Sequence, residues 1–470
     1  MYHSKAISYL HSFSRNEWHA FLAMLPSLHA SKYKDISPLI QYLENLYPNW
    51  DEQTLEKQVY FKKAYPKKKY DDKLVRYQLS YLKGYIEQFL VIQSVFKNKL
   101  LYQTQLEQEI LERKLFHQYS AIHEKSKEEL AKRPIRDAEY YYQAYQYELL
   151  QLTYHSMTHT RNEKNNIEQV LKNLDSFYLA KKLQIASEVI NIRNILSTDY
   201  TMFMLDEIMA YLSHHAYNET PVIQVYLLII RTLQDPEEET HYLQLEQLLK
   251  TYMQQFTRKE LYEIYQYLQN YCIKKINLGA IAYQQKLFEN YQTQMENDIL
   301  IYSGQISQWD FKNIVTIALR MQAYDWAESF IMKYKNYIPE EHKENAYSYN
   351  YANVLFRKGQ YDKSLKLLQK VNMTDVYYKL DARSMLLKTY YELNEYATLQ
   401  YHAQAFKKFL RRDNIISPYQ KEIYSNMISY VMKMQQAKGI KLKIKKIQKE
   451  IELATKTADI AWLKESVKRL

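Results

Sequence analysis

Tyr351-Ala352-Asn353-Val354-Leu355-Phe356-Arg357-Lys358-Gly359-Gln360-Tyr361 reads as one helix, a tight turn and the start of a second helix. Ala352 is small where two helices would touch. Gly359 stands where the turn needs a positive φ, which glycine adopts without penalty. Tyr361 opens the second helix, and Ser364 is its small contact residue. That opening recurs along the chain. Tyr324-Asp325-Trp326-Ala327, Tyr361-Asp362-Lys363-Ser364 and Tyr396-Ala397-Thr398-Leu399 are offset by 37 and 35 residues. A unit of this length is a helical hairpin that cannot bury its apolar face alone, so neighbouring units must stack.

The repeat resembles the tetratricopeptide repeat, whose period is ~34 residues. Ala352, Gly359, Tyr361 and Ser364 match it in the middle unit, and Tyr324, Ala327 and a closing Pro339 match it in the first. In the third unit, Tyr390 and Tyr396 match, but Asn394 replaces the turn glycine, and Leu387 and Leu399 replace small residues. The resemblance covers residues 306–410, and the whole chain is similar to a group of uncharacterised bacterial helical-repeat proteins. It implies an all-α fold, a right-handed α-solenoid of stacked hairpins. An N-terminal helical region (1–125), degenerate hairpins (126–305), the clear repeats (306–435) and a long C-terminal heptad helix (436–470) would make up the chain.

Composition agrees with helices throughout. The chain has 5 glycines in 470 residues, where average usage of ~7% would give roughly 33. A sheet-rich fold or a phosphate loop would need more of them. Ser37-Pro38, Thr220-Pro221, Asp235-Pro236 and Ser417-Pro418 each pair a capping residue with a proline suited to the first helical position. The 49 tyrosines read as large helix-packing residues with a wet hydroxyl. The alternative is an aromatic surface for stacking nucleic-acid bases.

Met1 to Arg15 lack a continuous apolar core, so no signal peptide is expected. The most apolar run, Val222 to Leu233, is interrupted by Gln224 and Arg231 and is too short to span a bilayer. The single cysteine, Cys272, leaves no intrachain disulfide framework. These features predict a cytoplasmic protein.

The net charge of +11 is concentrated in two patches. Residues 57–76, with Lys62, Lys63, Lys67, Lys68 and Lys69 among their basic side chains, carry +6. Residues 433–449 carry seven lysines and no acid. Each patch suits phosphate, anionic lipid or an acidic partner, or is a solvated helix end. The first lies between predicted helices 52–64 and 71–97, an order that fits a DNA reader, although the connection is longer than a helix-turn-helix turn. The second leads into Ile440, Ile444, Ile447, Ile451, Ala454, Ala458 and Ala461, a heptad spacing. This stripe would either cap the solenoid or mediate self-association.

Catalytic signatures are missing: no phosphate loop, no His-Glu-x-x-His and no paired-cysteine metal site. His155, His159 and Glu163 share a helical face, but polar surface explains them better than a metal. No catalytic residue, metal or cofactor is therefore assigned. The resemblance implies that first helices line a concave groove. This places Trp309, Lys312, Thr316 and Arg320, then Tyr349, Asn350, Asn353 and Arg357, then Asp381, Ser384, Lys388 and Glu392 along it. Asp381 and Met385 stand where a carboxylate-gripping groove would want basic or polar help, so a mixed-charge, aromatic groove for a helix or extended segment is expected. The functional expectation is a non-catalytic scaffold or adaptor for a protein or peptide partner. The alternative is a nucleic-acid-binding regulator with residues 57–76 as reader and the solenoid as sensor.

Overall fold

The computed structural model describes residues 1–28, 30–158, 165–196, 200–215, 217–371 and 376–470. The described residues form 23 α-helices and two short 3-10 turns, with no β-strand among them. The expected all-α class holds. The chain divides into two compact units, Met1–Tyr178 and Leu179–Leu470.

The first unit contains α1 (Lys5–His11), α2 (Arg15–Leu28), α3 (Ala30–Leu46), α4 (Lys57–Ala64), α5 (Asp72–Lys97), α6 (Lys99–Glu112), α7 (Phe116–Lys132) and α8 (Ala138–Thr158). Helix α9 (Ile167–Leu196) contains the division. The core of α1–α5 is aromatic: Trp18, Phe21, Phe61 and Phe89 are buried with Ile86 and Leu82. Behind it, α6, α7 and α8 bury an Oε2 of Glu107 at 2.8 Å from Nδ1 of His123, with the Tyr119 hydroxyl at 3.1 Å from the same nitrogen. Both side chains are almost wholly excluded from solvent, so this polar contact is made inside the helix packing.

The second unit continues with α10 (Leu205–His214), α11 (Pro221–Gln234), α12 (Glu239–Tyr252), α13 (Arg258–Asn277) and α14 (Ala282–Glu296). Then come α15 (Gln308–Arg320), α16 (Tyr324–Tyr334), α17 (Glu340–Arg357), α18 (Tyr361–Leu368), α19 (Val376–Glu392) and α20 (Tyr396–Arg412). The chain ends with α21 (Pro418–Ala437), α22 (Lys441–Glu452) and α23 (Ile460–Lys468). From α13 to α23 each helix packs on the next, as α11 does on α12, and α15, α17, α19 and α21 also pack in series on one another.

One turn geometry recurs. Helix α17 ends with Gly359 at φ +74°, its N–H bonded to the Phe356 carbonyl, and Gln360 N–H bonded to the Leu355 carbonyl. These two bonds satisfy carbonyls that the helix end would otherwise leave open. The same pair of bonds closes α15 at Gln322 and Ala323, and α19 at Asn394 and Glu395. Gln322 and Asn394 take φ +57° and +59°. The turn therefore survives the loss of the glycine that marks it in the sequence. It also closes α6 at Lys114 and α13 at Gly279, two hairpins with no glycine–tyrosine signature.

The middle hairpin is in the expected register. Ala352 and Ser364 are fully buried, and the Ser364 hydroxyl donates to the Ala352 carbonyl at 2.8 Å. The prolines are divided. Thr220-Pro221 and Ser417-Pro418 begin α11 and α21, the second with a reciprocal capping box between Ser417 and Gln420. Pro38 instead lies inside α3, whose buried Ile36, Leu39, Ile40 and Leu43 hold the helix across it. Asp235 closes α11, and Glu238 caps α12.

The tyrosines serve packing. Tyr60, Tyr226 and Tyr242 are fully buried, and their hydroxyls reach Gln78 (2.7 Å), Glu260 (2.9 Å) and Cys272 Sγ (3.2 Å). Burial pushes the Cys272 thiol up to about 12, which keeps it protonated and unreactive at neutral pH.

The expected long C-terminal helix is corrected: the chain breaks between α22 and α23. Leu453 to Asp459 leave the helix, and Asp459 has φ +51°. Thr455 and Thr457 are weak helix formers, and the chain turns so that Trp462, Leu463 and Val467 enter the core. Ile447 and Ile451 pack into that same core, whereas Ala461 is exposed. The heptad spacing therefore forms no continuous seam for pairing.

Because Ala352 and Ser364 touch with no spare space, Ala352→Leu or Ser364→Leu should overpack the α17–α18 contact at a cost of ~1–3 kcal/mol. A drop in the thermal or urea midpoint checks this. An unchanged midpoint in both variants would mean that this contact is not tightly packed.

Candidate functional site

A cavity of about 250 Å³ opens in the second unit, lined by side chains of α15, α17, α19 and α21 and by the loop before α23. Lys312, Thr316 and Arg320 come from α15, and Tyr349, Asn353 and Arg357 from α17. Asp381, Ser384, Met385 and Lys388 come from α19, and Tyr424 from α21. Ala458 and Asp459 close one end. The helical period explains the assembly. Residues 312, 316 and 320, then 349, 353 and 357, then 381, 384, 385 and 388, recur at three- and four-residue spacing on one face of each helix.

The structure thus brings Lys312, Arg320, Tyr349, Asn353, Arg357 and Lys388 to one place. Three further residues assigned to the groove differ. Trp309 is partly exposed and stacks obliquely on Tyr378 at 5.5 Å, outside the cavity lining. Asn350 is fully buried and donates to the Ala346 carbonyl at 2.8 Å, so it does not face the groove. It lies one position from Tyr349, a rotation of about 100° that turns its side chain into the helix packing. Glu392 is also engaged elsewhere: it accepts from Trp462 Nε1 at 2.9 Å and from Arg469 at 2.5 Å, which fastens α23.

The charges in the cavity have two different roles. Lys312 is ion-paired with Asp381 and lies within 6 Å of the ring centres of Trp309, Tyr349 and Tyr378. Asp381 also accepts from the Tyr424 hydroxyl at 3.2 Å. Lys388 is buried and bonds Asp459 at 2.7 Å, and Ser384 donates to the same carboxylate oxygen at 3.0 Å. Those two lysines are internally satisfied. Arg320 and Arg357 are exposed at the cavity, and among the described residues no carboxylate pairs with either. Four cations against two carboxylates leave the lining positive. Arg357 acts on Asp459 only through its charge, without an ion-pair contact, so both guanidinium forks can take a bound anionic group, and Arg is suited to planar oxyanions.

Asp459 is about a third exposed, and its partial desolvation by itself would raise the carboxyl. The charge of Lys388, the hydrogen bonds from Lys388 and Ser384, and the charge of Arg357 outweigh it, so the group is held below the usual carboxylate range. Sequence reasoning missed Asp459 and Tyr424 as parts of this site. Asp459 lies 71 residues beyond Lys388, and no local pattern connects them.

The basic patch of the first unit lies on the end of α4 and the turn into α5. Lys62, Lys63, Lys67, Lys68 and Lys69 are exposed there. Asp72 is occupied by Lys57 at 3.0 Å and Arg76 at 2.8 Å, and Lys68 lies over the Tyr65 ring. For the histidines, His155 lies on α8 with its ring 3.2 Å from the Gln151 amide, whereas His159 and Glu163 lie outside the described residues. No cluster of three metal-ligating side chains occurs among the described residues, and none of their helices is long and apolar enough to cross a membrane.

No protein-family model, curated protein or solved structure matches this chain.

The Asp459 contacts have a pH signature. A carboxyl depressed in the folded state contributes stability above its unfolded value of about 3.9 and loses it as pH falls through the lower folded value. The wild type should therefore lose this contribution only in acid. Asp459→Asn should show a smaller drop in urea midpoint between neutral pH and pH ~3. Equal drops in both proteins would show that Asp459 is not coupled to folding.

Proposed function

We propose that this chain is a non-catalytic binding scaffold of the cytoplasm, built over residues 306–435 as a tetratricopeptide-like right-handed solenoid. Its groove takes an acidic segment of a protein partner. The serial packing of α15, α17, α19 and α21 and the shared turn geometry support the repeat reading. One observation carries the binding reading: Arg320 and Arg357 face a common cavity with no carboxylate partner among the described residues, beside two lysines that are already paired. A carboxylate from a partner would complete the charge balance. The aromatic walls of Tyr349 and Tyr424 would pack against its backbone or apolar side chains.

Lys388 is unsuited to a binding test because it is buried and ties α19 to the loop before α23 through Asp459, so its removal would act on packing as well as on binding. The exposed arginines are the better choice. Peptides selected from a random displayed library against the immobilised protein should be rich in Asp and Glu. Arg320→Ala/Arg357→Ala should weaken them by ~1.5–3 kcal/mol for each charge-assisted bond lost. The variant should keep its thermal midpoint, since surface changes of this kind rarely cost more than ~0.5 kcal/mol. Lys67→Ser/Lys68→Ser/Lys69→Ser is the comparison. If only that variant loses peptide binding, the groove is not the working surface and the basic turn is. Selected peptides with no acidic bias would overturn the charge argument.

A further inference from the structure

Helix α22 has two faces of opposite character. Ile447 and Ile451 are buried and Ile444 packs beside them, so one side is fastened to the core of the second unit. The other side carries Leu442, Lys445, Lys446 and Lys449 at spacings i, i+3, i+4 and i+7, which is one stripe of a helix. Leu453, at i+11, continues the stripe just past the helix end. Leu442 is 83% exposed and Leu453 73% exposed.

The acids of α22 do not neutralise this stripe. Glu450 is turned to Lys433 at 2.6 Å, and Glu452 accepts from Gln448 at 3.3 Å. Among the described residues, no carboxylate pairs with Lys445, Lys446 or Lys449, nor with the neighbouring Lys441 and Lys443. Three unpaired ammonium groups therefore lie between two almost fully solvated leucines, on a helix whose inner face is already held in place.

We propose that this outward face of α22 docks on the surface of a bilayer containing anionic phospholipid. The lysines meet the headgroup phosphates, and Leu442 and Leu453 enter the interface beside them. The lysines alone would suit any polyanion. The leucines decide between candidates: an exposed Leu gains nothing from a phosphate backbone in water, but loses its contact with water when it enters the headgroup boundary. The α22 face has no aromatic side chain to stack on a nucleic-acid base. The inner isoleucines keep the helix folded before it binds, so no ordering cost is added. Docking of this kind is peripheral, reversible and weakened by salt.

The test is co-sedimentation of the full chain with phosphatidylcholine vesicles, with and without phosphatidylglycerol. The expected result is binding to the anionic vesicles only, and its loss on adding salt. Lys445→Ser/Lys446→Ser/Lys449→Ser should weaken it on the order of a hundredfold, at roughly fivefold for each lysine. Leu442→Ser/Leu453→Ser should weaken it about tenfold while leaving the charge intact. Both variants alter only exposed side chains, and circular dichroism with an unchanged thermal midpoint confirms that each is folded. Failure of the wild type to bind anionic vesicles overturns the proposal. So does a leucine variant that binds as well as the wild type. Tighter retention on duplex DNA than on vesicles, lost in the lysine variant alone, would assign the face to a phosphate polymer instead.

Discussion

A helix that ends inside a stack must dispose of its last carbonyls within a few residues, and α6, α13, α15, α17 and α19 do so in the same way. The backbone steps into the left-handed region, and two N–H groups fold back onto the helix they have just left. Glycine fills that position at Gly279 and Gly359. At Lys114, Gln322 and Asn394 a side chain tolerates it, at a cost of about 1–2 kcal/mol for a residue other than glycine. The cost is accepted because the turn sets the angle at which the next helix returns. Ala318 with Ala327, and Ala352 with Ser364, are buried where the helices meet. A wider turn would separate those contacts.

The turns also place the first helices of successive hairpins side by side, and this creates the cavity. Each helix contributes one row of side chains at three- and four-residue spacing, so residues from α15, α17, α19 and α21 converge. Within that row the chain spends some charges on itself. Lys312 with Asp381 and Lys388 with Asp459 tie α15 to α19 and α19 to the loop before α23. Each pair spans about 70 residues of sequence. Arg320 and Arg357 are left over. Paired lysines that hold the wall, beside unpaired arginines that face the opening, distinguish scaffold charges from charges available to a ligand.

The C-terminal segment follows a different logic. Its sequence spaces four isoleucines and three alanines as though for a single amphipathic helix, yet the isoleucines of α22 and the tryptophan of α23 enter the same core from two separate helices. Burying Trp462 and Leu463 requires a reversal near Asp459 that a straight helix forbids. That reversal also carries the Asp459 carboxylate to Lys388. One break in a helix thus completes both the core and the end wall of the cavity.

The all-helical class, the register of the middle hairpin and the residues of one helix face were legible in the order of the amino acids. These follow from local rules: glycine scarcity, a small residue at a helix contact, and the 3.6-residue period that aligns Tyr349, Asn353 and Arg357 on α17. Periodicity did not separate Asn350 from its neighbour Tyr349, because which flank of a helix is covered depends on the helices packed against it. Nor did it reveal Gln322 and Lys114 as turn residues, since the surrounding stack imposes that conformation on side chains with no preference for it. Which cations are paired and which face solvent follows from the folded packing alone. An ion pair across 69 or 71 residues has no local signature, and a lysine reads the same whether it is buried against Asp459 or exposed on α22.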